Sequence, residues 1–210
     1  EDESHIVMAV AESLIYGLKS GDTCIVAATR NHLKQIDSIV RTFIDGLDAA
    51  TADGQYVPLE AAETLSTFMV DGMPDAARFS SSIGATVERA AKRPGRIRIF
   101  GELVCVLCSE GNVPAALALE DLWNGLQKKY PFSLFCAYSM SAMDSAVPSQ
   151  MASVCAGHTN VIPAESYTLL RKSSERLRKI AVLQQKSRQL EAEVARLQQH
   201  ISDPTRSFAT

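Results

Sequence analysis

The chain is expected to fold as an α/β domain with a mostly parallel sheet, and three observations carry that expectation. Short, continuous apolar runs rich in β-branched residues recur up to Tyr138, the pattern of strands buried on both faces. Between them lie stretches of 10–17 residues with apolar positions three and four apart, long enough for crossover helices. Glycine, proline and Asp-Gly pairs fall at the joints between the two kinds of segment.

Val7, Val10, Leu14 and Leu18 keep helical spacing up to Gly21 and predict a first helix. DTCIVAAT, Asp22 to Thr29, reads as a buried strand. Leu33, Ile36, Ile39, Val40, Phe43 and Leu47 form one apolar stripe, so a second helix is expected up to the turn-rich DAATADGQ, where Asp53-Gly54 punctuates. QYVPLE is a short strand, and Pro58, which cannot donate to a ladder, assigns it to an edge or a strand end. Ala61–Val70 and Ala76–Lys92 are predicted helices parted by DGMPD, with Asp75 placed to cap the second.

RPGRIRIFGE predicts a turn and then a strand in which Ile97, Ile99 and Gly101 oppose Arg96, Arg98 and Phe100. ELVCVLCSEGN reads as a short helix ending near Gly111. Ala115–Lys129 is an amphipathic helix with Ala116, Leu119, Leu122, Trp123 and Leu126 on one face. FSLFCAY, Phe132 to Tyr138, is the last clear strand, and Val147–Ala156 a further short helix.

The net charge of −3 conceals two parts of opposite sign. Residues 1–170 carry 12 Lys+Arg against 20 Asp+Glu, a net −8, whereas residues 171–210 carry 9 against 4, a net +5. The acidic body argues against nucleic acid as a partner, because phosphate binding needs clustered Lys and Arg. In the tail, Ile180, Leu183, Ser187, Leu190, Val194, Leu197 and Ile201 recur at alternating spacings of three and four. That is a seam of three heptads, so a parallel homodimeric coiled coil is expected, with a register shift near Ile180. The expected map is a body over 1–163, a coiled-coil helix over 164–202 and a short tail over 203–210.

No phosphate loop of either common type, no G-x-S-x-G elbow and no metal-binding histidine pair occurs. Five cysteines, an odd number scattered through apolar runs, suit reduced thiols in a cytoplasmic protein. CVLC at 105–108 and CAGH at 155–158 have the outer form of a zinc tetrad, but the burial demanded by Val104, Val106 and Leu107 favours core packing. No catalytic group, metal or cofactor is expected, and the apolar runs are too short to span a membrane.

From Gly95 to Tyr138 the sequence GRIRIFGELVCVLCSEGNVPAALALEDLWNGLQKKYPFSLFCAY resembles the MEDS sensory domain, named for methanogens, methylotrophs and the dichloromethane regulator DcmR. The resemblance rests on GEL, GN, LEDLWN and FSLFCAY in order, continues through CAGHTNVIPAESY, and reaches back through GDTCIVAATRNHL. It implies a RecA- or KaiC-like fold without an ATP-binding loop, serving as the input module of a sensor histidine kinase or transcriptional regulator. It also implies a small-molecule ligand, a downstream PAS or kinase module, and a first strand that is missing ahead of EDES.

Open α/β sheets bind ligands at the carboxyl ends of their strands. The candidate ligand-binding residues are therefore Thr29 and His32 after the first strand, Glu102 after RIRIF, and Tyr138 after SLFC, together with Glu120 and His158. For Glu102 the competing role is a cap of the LVCVLC helix. Glu120, four residues before Asn124, also suits simple packing. Ile180, Leu183, Leu190, Val194, Leu197 and Ile201 are the candidate dimerisation residues. A ligand-free dimerisation or docking scaffold is the alternative function.

Overall fold

Every residue of the strand Thr23–Ala28 (β1) is buried, which a strand achieves only at the centre of a sheet with helices on both faces. The computed structural model describes residues 4–136 and six later positions, 185, 187, 188, 190, 191 and 194. In chain order, α1 (Ser4–Lys19) leads into β1, and α2 (Arg30–Arg41) and α3 (Leu47–Ala52) lead into β2 (Tyr56–Glu60). Helix α4 (Ala61–Phe68) enters a small hairpin of β3 (Met69–Val70) and β4 (Met73–Pro74). Then α5 (Ala76–Phe79), a π-helical turn at Ser80–Gly84 and α6 (Ala85–Ala91) precede β5 (Ile97–Gly101). Finally α7 (Leu103–Ser109) and α8 (Val113–Lys129) precede β6 (Phe132–Cys136). The chain divides into two compact units, Glu1–Thr159 and Asn160–Thr210.

Among the described residues the main sheet has four parallel strands in the order β2-β1-β5-β6. Moving from β1 to β2 runs one way across the sheet, and moving from β2 to β5 and on to β6 runs the other way. The helices follow that reversal. Helices α1, α2 and α3 pack on one face over Cys24, Val26, Ala28 and Phe100. The elements from α4 to α8 pack on the other, over Ile25, Ala27, Ile97 and Ile99. Opposite directions with helices on opposite faces are what a single handedness of crossover requires. Pro58 sits in β2, at the edge of this sheet, where its missing N–H leaves no ladder bond unmade.

The second face is organised by rings in edge-to-face contact. Phe79 meets Phe68 at 5.3 Å and Trp123 at 5.4 Å, and Trp123 meets Phe132 at 6.1 Å. Each such buried side chain contributes roughly 1.5–3 kcal/mol by leaving water. Asp75 caps α5 by accepting the Arg78 N–H at 2.8 Å, as its place after Pro74 predicts. Two glycines are dictated by contact. Gly95, at φ +91°, lies so close to Gly21 that a Cβ would fall 2.4 Å from its carbonyl oxygen. Gly17 lies inside α1 rather than at its end, and its missing Cβ admits the Arg98 side chain and the Cys24 sulfur.

Several expectations need correction. The expected turn DAATADGQ is largely helical: α2 stops at Arg41, Gly46 takes the left-handed conformation, and Leu47 opens α3 with its side chain buried. Phe43 therefore leaves the α2 stripe and stands exposed in the connection. The helix expected to reach Val70 ends at Phe68, because Met69 and Val70 pair with Pro74 and Met73 across Asp71-Gly72. Leu122 is only half-buried on α8, whereas Val113 and Ala115 are buried. The helix predicted over Val147–Ala156 lies outside the described residues, as do Tyr138, His158, Ile180, Leu183, Leu197 and Ile201.

Candidate functional site

Where the chain reverses its direction across a parallel sheet, the connections leaving two adjacent strands part to opposite faces and leave a crevice at the strands' carboxyl ends. Here that place is between β1 and β5. Ala27 pairs with Gly101, the Glu102 N–H donates to the Ala27 carbonyl at 2.8 Å, and Thr29 and Glu102 follow directly. The structure thus brings together Thr29, His32 and Glu102, which lie up to 73 residues apart in the chain.

Thr29 forms the whole β1–α2 turn and caps α2, its hydroxyl accepting the His32 N–H at 3.4 Å. Glu102 is buried with 5% of its surface exposed. Its Oε2 accepts the Thr29 N–H at 2.9 Å, and its Oε1 lies 2.5 Å from Nδ1 of His32, itself buried. Glu102 stands at the N-cap of α7 yet makes no side-chain bond to that helix. Glu102 thus holds the N-cap position of α7 that its alternative role requires, while its side-chain hydrogen bonds go to Thr29 and His32. Beside it, Arg30 pairs with Glu63 on the first turn of α4 at 2.9 Å, with both side chains exposed.

Glu120 stands on α8, and its charge reaches Cys108 of α7. Burial first, then Cys105 and Glu120, raise the Cys108 thiol above its ordinary value. Cys24, buried and donating its S–H to the Leu14 carbonyl, is pushed up to about 12 by burial, with Arg98 opposing and Asp22 adding. Thiols held protonated in this way are packing groups, not nucleophiles. Burial and the neighbouring Asp37 carboxylate, 2.5 Å away, likewise drive the Tyr56 hydroxyl well above its usual range. No group of three His, Cys, Asp or Glu among the described residues has metal-binding geometry.

At the opposite end of the sheet an open cleft of about 600 Å³ lies between the end of α1 and the α2–α3 connection, lined by Leu18, Phe43, Ile44, Ala49 and Gln55 among others. Beneath β1 and β5, Asp22 joins α1 to the sheet: its Oδ2 accepts from Nε of Arg98 at 2.6 Å and its Oδ1 from the Arg96 N–H at 3.0 Å. Burial acts against its ionisation, but these donors and the Arg98 and Arg96 charges together hold its carboxyl below the usual value. What the residue pattern could not reveal at the crevice is the Thr29 backbone N–H as the partner of Glu102. No side-chain signal marks it, and only the β1–β5 register brings the two together.

No helix among the described residues is long and apolar enough to cross a membrane. Comparison with curated proteins finds no match, and comparison with solved structures finds none. The description of the family MEDS, the methanogen/methylotroph, DcmR sensory domain, matches residues 1–159. The crevice and the sheet that forms it lie wholly within that span, and the chain belongs to the MEDS sensory domain family.

Proposed function

We propose that residues 1–159 are the sensory input domain of a cytoplasmic bacterial signalling protein, that a small molecule binds in the crevice where β1 and β5 end, and that the tail passes the change to a downstream PAS or kinase module. The observation that carries this reading is the meeting of Thr29, His32 and Glu102, three polar side chains gathered at the reversal point of a sheet in a sensory family. In this reading the ligand lies between α2 and α7, which belong to opposite faces of the sheet. A ligand that binds one arrangement of those helices better than another shifts the population between them by its differential affinity. A RecA-like ancestry accords with the parallel sheet and the missing phosphate loop.

The tail supplies the output in this reading. Among its described positions, 185, 187, 188, 190, 191 and 194 are helical, and Leu190 and Val194 are 66% and 50% exposed on the single chain. Their exposure accords with a seam that pairs with a second copy.

Thermal-shift measurements across a panel of metabolites test the sensory reading, since a compound that binds only the folded state must raise the melting temperature. At least one compound class is expected to do so in a saturable manner. A panel and cellular extracts that leave the melt unmoved, from a protein that is still dimeric, would favour the ligand-free scaffold instead.

A further inference from the structure

We propose that Glu102 is a built-in carboxylate ligand of α2: the chain fills the anion position at that helix N-terminus with its own side chain, and an external anion reaches it only by displacing Glu102. Helix α2 is twelve residues long, so its first N–H groups and aligned peptide dipoles favour a negative charge beside them. In strand–turn–helix units, that position is where the phosphate or carboxylate of a ligand comes to rest. Here Oε2 of Glu102 takes the Thr29 N–H and Oε1 is held by Nδ1 of His32.

Two further features set this arrangement apart from a routine cap. Glu102 makes no capping bond to its own helix α7, and it reaches instead to a neighbour 73 residues away in sequence. Its side chain is also 93% buried, and a carboxylate taken out of water is retained only where donors and charge replace its hydration. The N-terminus of α2 and His32 supply that replacement. The consequence is a ligand preference for the crevice. A phosphorylated or carboxylated compound meets an occupied anion position, whereas a neutral compound packs beside the latch without opening it. The preference rests on the crevice being the sensing site, but the occupation of α2 by Glu102 does not.

The test uses the full chain and the variant Glu102→Ala, melted in sodium formate and in sodium chloride at equal ionic strength. In chloride the variant is expected to melt roughly 5–10 °C below the unsubstituted protein. Formate should restore at least half of that loss, saturably, and shift the His32 imidazole nitrogen resonances, while the unsubstituted protein melts alike in both salts. Equal melts of the variant in formate and chloride would overturn the proposal, and so would formate stabilising the unsubstituted protein to the same extent. Should Glu102→Ala yield no soluble protein, Glu102→Gln decides alone, because it keeps size and shape while removing the charge. A melt clearly below that of the unsubstituted protein is expected, and an equal melt shows that no anion is needed there. A metabolite panel without hits leaves the formate result standing, and a failed formate rescue leaves any panel hit standing.

Discussion

Asp22 and Glu102 are the two buried carboxylates of the described residues, at opposite ends of the same two strands, and their surroundings give them different work. Glu102 joins the turn after β1 to the end of β5 through the Thr29 N–H and His32. Asp22 ties the loop after α1 to β5 through Arg98, whose guanidinium also lies 5.2 Å from the Tyr16 ring. Replacing Asp22 with Asn removes an ionic partner from a mostly buried pair, so unfolding in urea should show a loss of about 2–3 kcal/mol at neutral pH. The pH dependence follows from the lowered pKa of Asp22 in the folded state. The folded state binds fewer protons here than the unfolded chain, so the contribution of Asp22 is complete above its ordinary value of 3.8 and disappears as pH falls through the lower folded value. The Asn variant should therefore lose less stability than the unsubstituted protein between pH 5 and pH 2, in the range of order set by such linkage. Identical slopes for the two proteins would show that the pair does not shift the titration of Asp22.

At the scale of elements, the positions of the helices follow from where glycine permits close approach. Gly95→Ala would set a methyl group against the Gly21 carbonyl in a left-handed backbone conformation, and a cost of about 2–4 kcal/mol in chemical unfolding is expected. Gly21→Ala, in an equally left-handed conformation but with open space around it, should cost only about 1 kcal/mol. Equal losses for the two would deny that the close approach matters. The contrast also explains how much was legible in the residue pattern. The buried strands, the cap by Asp75 and the long α8 were readable, because each depends on spacing within a few residues, whereas the cap by Thr29 came only with the structure. The break after Arg41, the short α3 and the Met69–Pro74 hairpin were not. Leu47 continues the α2 stripe numerically and is buried on the first face as that stripe predicts, and only the end of α2 at Arg41 and the left-handed Gly46 show that it begins a new helix.

For the molecule as a whole, the order β2-β1-β5-β6 converts a list of strand ends into a place. Strand ends after Ala28 and Gly101 could be named from the chain, but their adjacency required the sheet order, and the bond from Thr29 to Glu102 required the register. Glu120 illustrates the reverse: a polar pair on one helix face was visible, and the fold sets it near the α7 cysteines. Removal of residues 171–210 should convert a dimer into a monomer with an intact body, as judged by light scattering and circular dichroism; a truncated body that remains dimeric would remove the coiled coil from the account of dimerisation. The claim that β1 and β5 frame the sensing site is tested most directly by backbone amide shift mapping with the first compound that raises the melting temperature. Saturable shifts centred on Thr29, His32 and Glu102 are predicted. Shifts centred instead on Phe43, Ile44 and Gln55, around the cleft at the other end of the sheet, would contradict it.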